Sequence, residues 1–332
     1  MVYSHALKRA VENAVRKKIK VRLADLEYHT PVARSCAGHS TGALDLVRLT
    51  ALMELNRGSP EIAIGLIDGP VARDHADLTE SAIQEVPTKK GSCQNSRSPA
   101  CLHGTFLAGI LSARRSSNAP AICPACTLLV RPIFSEGGSE RKDEPSTNPD
   151  ELAAAVSDCI SAGARVINLS LAIVRPSTSA DRALKSALDD ATRRGVIIVA
   201  AAGNQKIVGS TVITRHPWVI PTVACNREGL PSAYSNLGLS IGTRGLRAPG
   251  DGVISSGADG QSFASSGTSV AAPFVTGTIA LLWSIFPSAT AQDVKLAVTQ
   301  APVRRVSVVP PLLDASKAYQ ALAIRYKREP LP

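Results

Sequence analysis

Two rhythms of apolar positions divide the chain. Over residues 5–20, Leu7, Val11, Val15 and Ile19 recur at every fourth position among Lys and Arg, the spacing of an amphipathic helix. The pattern breaks up from Glu27 to Gly42. A second helix is expected over Ala43–Leu55, closed by Asn56-Arg57-Gly58 as its C-cap. Beyond it the period changes. Ile62-Ala-Ile-Gly-Leu-Ile67 is a short continuous apolar run that stops at Asp68-Gly69-Pro70, as a strand buried on both faces does. Thr127–Ile133, Val166–Leu171, Val196–Ala201 and Pro221–Ala224 are similar runs, and helical patterns fall between several of them, notably Glu151–Ser161 and Asp181–Arg194. Strand alternating with helix predicts a mainly parallel sheet covered by helices on both faces, an α/β three-layer domain. Thr88–Pro99 and Ser135–Pro149 read as solvated loops, and no internal repeat is found.

The longest apolar run, Val270–Phe286, contains Pro273, Thr276 and Thr278 and is expected to be a helix through the protein core rather than a membrane span. The length of 332 residues allows two small domains or one large domain with an extension. With 44% apolar and 19% charged residues, disordered, collagenous and low-complexity classes are excluded. Aromatics are only 4%, so Ala, Val, Ile and Leu must build the core. The net charge of +10 is local: residues 1–23 hold seven Lys or Arg against the single Glu12. The remainder is nearly balanced, which argues against a nucleic-acid footprint on the main domain, and no membrane partner is expected. Cysteines stand at 36, 93, 101, 123, 126, 159 and 225, an odd count, and Met1–Leu23 has no apolar h-region of a secretory signal. Free thiols in a reducing, cytoplasmic setting are the expectation.

Functional groups in open parallel α/β sheets gather at the carboxyl ends of strands, which singles out Asp68 and Asn204. An Asp in that place equally serves as a turn cap. His103 lies in Leu102-His-Gly-Thr-Phe-Leu-Ala-Gly-Ile110, where His-Gly-Thr opens a small-residue helix. His5, His29, His39, His75 and His216 take the ordinary reading of structural or solvated histidines. In Ser266-Gly-Thr-Ser-Val-Ala-Ala-Pro-Phe-Val-Thr-Gly277, small residues lead into the apolar helix and place Ser269 near its N-terminus, where backbone N–H groups and the helix dipole favour negative charge. Pro273 is expected within the first turn, where its missing N–H costs little. Alone, this segment is a Ser/Thr-rich N-cap; its company with Asp68 and His103 gives it chemical weight.

Together these boxes resemble the subtilisin-like serine proteases, in the family's order of Asp, His, Ser. Asp68 in Ile64-Gly-Leu-Ile-Asp-Gly69, the His103-Gly-Thr box, Asn204 in Ala200-Ala-Ala-Gly-Asn204 and Gly267-Thr-Ser-Val-Ala-Ala-Pro273 carry the likeness over about residues 59–322. It implies a peptidase domain over 59–322, preceded by a basic helical extension, 1–58, and followed by a tail, 323–332. It also implies that Ser269 attacks, His103 acts as base and then acid, and Asp68 holds the imidazole. Asn204 and the Ser269 N–H would meet the oxyanion. By the same likeness Leu169, Ser170, Leu171 and Ala172 would pair with the substrate backbone, while Ala201, Ala202 and Gly203 border the pocket for the residue before the cut.

Three positions depart from the family pattern: Gly69, followed by Pro70, where Ser or Thr is usual after the Asp, Phe106 where His is common, and Ala172 where Gly is usual. The first leaves one hydrogen bond at Asp68 open, and the last reshapes a subsite. Asp68-Gly-Pro-Val71 with Ala121–Phe134 is most similar to the branch that matures cyanobactins and related ribosomal peptides. That branch implies a peptide or precursor-peptide substrate, cut in the cytoplasm. A general intracellular protease, a transamidating macrocyclase and a peptide-binding pseudoprotease are the alternatives. Cys123-Pro-Ala-Cys126 has the spacing of a metal or redox pair, but two ligands are too few for structural zinc, and buried thiols are the preferred reading. No cofactor is called for. Calcium enters by the resemblance alone, since no Asp cluster matches a calcium loop. For residues 1–58 three readings stand: a docked helix, a blocking prosegment, or an arm that binds an acidic precursor.

Overall fold

The computed structural model describes residues 21–23, 27–31, 38–88, 91–136, 145–173, 182–299, 306–329 and 331. The strands are β1 (Val21–Leu23), β2 (Glu27–Pro31), β3 (Ala63–Asp68), β4 (Ile83–Glu85), β5 (Thr127–Pro132), β6 (Ser146–Thr147), β7 (Val166–Leu169), β8 (Leu171–Ile173), β9 (Ile197–Ala201), β10 (Val219–Cys225), β11 (Leu246–Pro249), β12 (Val253–Ser256) and β13 (Ser262–Ser266). The helices are α1 (Gly38–Leu46), α2 (Thr50–Leu55), α3 (Pro99–Ser112), α4 (Pro149–Ser161), α5 (Arg182–Arg193), α6 (Val212–Arg215), α7 (Leu239–Arg244), α8 (Thr268–Ile285), α9 (Ala291–Thr299) and α10 (Ala315–Tyr326).

The central sheet has seven strands in the order β11-β10-β9-β7-β3-β5-β4, and every pairing in it is parallel. Its inner strands β3, β7, β9 and β10 are mostly apolar because both of their faces are buried. Ile64 and Leu66 of β3 join one core cluster with Phe106, Leu107 and Ile110 of α3 and Phe274, Leu281 and Trp283 of α8. Ile67, one step out of phase, joins the opposite cluster with Leu152 and Val156 of α4 and Leu184 and Leu188 of α5. Successive side chains point to opposite faces, so one strand feeds both layers. The expected three-layer α/β architecture is what the chain forms.

The expected core helix is α8, in which every residue except Ser284 is buried. Pro273 is its sixth residue rather than a member of the first turn, so the Ser269 carbonyl loses its helical N–H donor. Ser170 Oγ takes that place, donating to it at 2.8 Å. The single helix expected over Ala43–Leu55 is two, α1 and α2. Arg48 between them adopts a left-handed φ of 53°, and the break turns Val47, Leu49 and Leu52 into the core. Gly58 also has positive φ, and a Cβ there would strike the Cys126 sulfur. The run Val166–Leu171 divides into β7 and β8 at Ser170. Within the loop expected over Ser135–Pro149, Ser146–Thr147 forms β6, and Pro149 opens α4 behind the N-cap Asn148, whose side chain accepts from the Glu151 N–H. The helix expected over residues 5–20 lies outside the described residues.

Two small antiparallel sheets lie beside the central one. In the first, β1 runs between β6 and β8; in the second, β2 adds to β13, which also pairs with β12. The N-terminal segment is thus knitted into the main body at two places, and α2 adds Leu52 and Met53 to its core.

Candidate functional site

Three adjacent parallel strands bring the candidate residues to one edge. Ile67 of β3 is in register with Leu169 of β7, and Leu169 with Ala200 of β9, so Asp68, Ser170 and Ala201 stand side by side at the carboxyl ends. Neighbouring strands are about 4.8 Å apart, which sets the scale of the site. His103 joins this row through Asp68: its Nδ1 lies 2.6 Å from Asp68 Oδ1, with both side chains fully buried. Ser269 joins it through the Ser170 bond to its carbonyl.

Glycines permit the first of these approaches. A Cβ on Gly69 would run into the Ala100 carbonyl oxygen, and one on Gly104 into the carbonyl oxygens of Gly69 and Pro70. The start of α3 therefore lies directly on the turn after β3. Ser98 caps that helix, Pro99 occupies its first position, and Thr105 Oγ1 accepts from the Ala72 N–H at 2.9 Å. This close packing explains why Gly follows Asp68: a hydroxyl-bearing side chain would be excluded by α3. The consequence is visible on Asp68, whose Oδ1 accepts from the Gly69 N–H at 2.7 Å while its Oδ2 has no partner among the described residues. Phe106, the second departure, packs on Phe263 with ring centroids 4.8 Å apart and fills core that a polar ring would leave unsatisfied.

Asn204 is aimed by Thr268. Its Oδ1 accepts from the Thr268 N–H at 3.0 Å and from Thr268 Oγ1 at 2.8 Å. With the carbonyl oxygen committed, the amide orientation is set and Nδ2 becomes the branch that faces away. Gly203, at φ 101°, donates its N–H to Thr268 Oγ1, and Asn236 holds the same loop through the Ala202 and Gly203 carbonyls. Ser269 itself is the second residue of α8, within the turn whose N–H groups lack helical partners. Ser269 Oγ and His103 Nε2 are both sealed from solvent, and neither has a hydrogen-bond partner among the described residues. The contact between nucleophile and base is thus open, as such contacts commonly are before the reacting geometry forms.

One group escaped sequence reasoning. Asn168, inside β7, donates to Ser170 Oγ at 2.7 Å and accepts from Thr276 Oγ1 at 2.9 Å. The chain Thr276–Asn168–Ser170–Ser269 ties α8 to the sheet, and every member is fully buried. Its signal was an Asn in an otherwise apolar strand and a Thr in an apolar helix. Leu169, Ser170 and Leu171 span the end of β7 and the start of β8, and Leu171 and Ala172 pair in register with Leu23 and Arg22 of β1. Ala201 ends β9, and Ala202 and Gly203 follow it directly.

The cysteines correct an expectation. Cys93 and Cys101 are joined in a disulfide, so the thiols are not all free, and the thiol argument for a reducing compartment fails at that pair. Cys123, Cys126, Cys159 and Cys225 are free and buried, and Cys36 lies outside the described residues. A hydrogen bond to Cys126, together with burial, pushes the Cys123 thiol up, and the same bond draws Cys126 down. Among the described residues one grouping has metal-ligating proximity, Cys93, Cys101 and Glu136. Its sulfurs are spent in the disulfide, and the Glu136 carboxylate accepts the Gln94 and Asn95 N–H groups, so it does not fit a cation. His216 pairs with Asp189, and His75 Nδ1 accepts from the Asp77 N–H, both structural roles.

A sequence model described as the subtilase family matches residues 59–315. The chain belongs to the subtilase family. Mycosin-4 of Mycobacterium tuberculosis is 31% identical over 77% of this chain and 63% of its own length. Subtilisin E of Bacillus subtilis is 28% identical over 75% of this chain and 62% of its own. The chain therefore spans about three-fifths of the length of these two curated relatives. Among solved structures, a point mutant of the protease domain of PatA has a TM-score of 0.73 at 29% identity, covering 81% of this chain and 98% of that one. The prenylagaramide maturation protease PagA has 0.72 at 26%, covering 82% and 98%. The PatG macrocyclase in complex with peptide has 0.69 at 18%, covering 82% and 95%, a likeness of fold alone.

Proposed function

We propose that this subtilase is a serine endopeptidase that processes a ribosomally made precursor peptide. The observation that carries the chemistry is the 2.6 Å contact of Asp68 with His103 Nδ1, beside a Ser269 at a helix N-terminus and an Asn204 aimed by Thr268. Asp68 holds the imidazole with Nδ1 protonated, which leaves Nε2 to take the Ser269 hydroxyl proton as Oγ adds to the scissile carbonyl. Developing charge on the carbonyl oxygen is met by Asn204 Nδ2 and the Ser269 N–H. His103 returns the proton to the leaving amine, and water repeats the cycle on the acyl-enzyme.

The precursor reading rests on the likeness to PatA and PagA, both named as maturation proteases. A macrocyclase must keep water from the acyl-enzyme. Among the described residues between Asp68 and Ser98 the chain forms only β4 and loops, with no helix to cover the site. Hydrolysis is the outcome that fits. The test is a cut-site profile on a proteome-derived peptide library with Ser269→Ala as control. A narrow motif supports precursor processing, a broad one makes the protein a general peptidase, and no Ser269-dependent cut contradicts both.

A further inference from the structure

We propose that Cys123 and Cys126 are a dithiol that hydroperoxides, entering between α2 and α8, convert into an internal disulfide. Both thiols are free and buried, and neither takes part in the mechanism above. Pro124 and Ala125 form the turn between them, and the Cys126 N–H donates to the Cys123 carbonyl at 3.0 Å. A four-residue turn of this kind keeps its end Cα atoms within about 7 Å, the range that a disulfide requires. The side chains meet as well, because the Cys123 thiol donates to the Cys126 sulfur. The backbone thus holds the pair within bonding reach.

A path leads from solvent to the second sulfur. A cavity of about 310 Å³ lies between α2, α8 and α10, and its walls include Leu55, Asn56, Ser284, Tyr319 and Arg328. Leu55 and Arg328 are exposed, so the cavity meets solvent. Ser284 Oγ lies 4.0 Å from Cys126 Sγ, which makes Cys126 the thiol next to the cavity wall. A water molecule takes about 30 Å³, and a hydroperoxide of little more than that size fits the space. Cys126 is also the more acidic of the two. The bond from Cys123 draws it down, and the thiolate is the form that attacks. Cys225 lines another cavity, of about 380 Å³, but burial pushes its thiol up to about 12, as it does Cys159. Access and ionisation coincide at Cys126.

The chemistry runs in two steps. The Cys126 thiolate attacks one peroxide oxygen, the O–O bond breaks, and the departing oxygen takes a proton, leaving a sulfenic acid. Cys123 then loses its proton and attacks the Cys126 sulfur; the S–S bond forms, the S–O bond breaks, and hydroxide leaves as water with that proton. Two thiols are oxidised by two electrons in all, and hydrogen peroxide is reduced to two waters. Arg115 serves the second step. Its guanidinium donates to the carbonyls of Met53, Asn56 and Ile122, its buried Nε has no partner among the described residues, and its charge favours the Cys123 thiolate.

The test treats the folded full chain with hydrogen peroxide, alkylates the remaining thiols at intervals, and weighs each cysteine-bearing peptide. The peptide holding Cys123 and Cys126 should lose two hydrogens and escape alkylation at least tenfold faster than Cys159 or Cys225 reacts. In Cys123→Ser the sulfenic acid should persist on Cys126 and be captured by dimedone, and in Cys126→Ser the Cys123 thiol should react no faster than Cys159. Ser284→Leu places a larger side chain between the cavity and the sulfur and should slow bridging at least tenfold, with Cys225 unaffected. A folded wild-type chain that forms no bridge between Cys123 and Cys126, one in which Cys225 reacts as fast as Cys126, or undiminished bridging in a folded Ser284→Leu overturns the proposal. The readout is mass alone, so it stands whether or not the chain cuts peptides.

Discussion

The central sheet and the small sheet that continues from the end of β7 solve the same pairing problem in different ways. In β3, β7 and β9 the strands are fixed by side chains buried on both faces, and the residues at their carboxyl ends inherit that rigidity. Asp68 lies in a turn onto which α3 is pressed through Gly69 and Gly104, and Ser269 is tied back to the sheet through Ser170. In the β6-β1-β8 sheet the middle strand is three residues long and comes from the far N-terminus. So short a strand makes few backbone bonds. A side-chain-locked catalytic row thus stands beside a short strand held by backbone pairing.

Substitutions that break the central-sheet side should cost most. Ser269→Ala removes the nucleophile and should lower kcat by about 10⁶, the scale known for subtilisin, measured on a chromogenic peptide. Asn204→Ala leaves attack possible but strips one oxyanion donor, and kcat should fall by about 10²–10³ with KM nearly unchanged. Equal losses in these two variants would contradict their separate roles. Gly69→Ala drives a methyl group into the Ala100 carbonyl and should destabilise the fold by about 1–3 kcal/mol, read by urea denaturation. A wild-type midpoint would mean that α3 is not pressed on this turn. Thr276→Val deletes the donor to Asn168 at little change of shape and should cost about 1 kcal/mol, because a buried acceptor is left unpaired. If instead kcat falls while stability holds, the network positions Ser269 rather than merely supporting the core.

Much of this was legible in the sequence, and the gaps have physical causes. Apolar runs such as Ile62–Ile67 announced the buried parallel strands because burial on both faces leaves no polar alternation to confuse them. Asp68, His103, Asn204 and Ser269 stood out because each interrupts an apolar or small-residue segment at a strand or helix end. The split between α1 and α2 was hidden, since Arg48 carries no sign of the left-handed turn it adopts. The role of Gly69 was equally hidden: its reason is the Ala100 carbonyl, brought there by packing over 31 positions of chain. The Cys93–Cys101 bridge depends on how the loop before α3 folds back, which spacing does not specify. The pairing of β1 with β8 joins residues about 150 positions apart through backbone bonds, which any side chain can make and no motif marks.

The central claim, that the buried Asp68–His103 pair serves a nucleophilic Ser269, is tested most directly by intact-mass measurement after treatment with a small fluorophosphonate. The full chain should gain one adduct mapping to Ser269, slower in Asp68→Asn and absent in Ser269→Ala. A folded wild-type chain that stays unlabelled, or one labelled at the same rate when Asp68 is replaced, would contradict it.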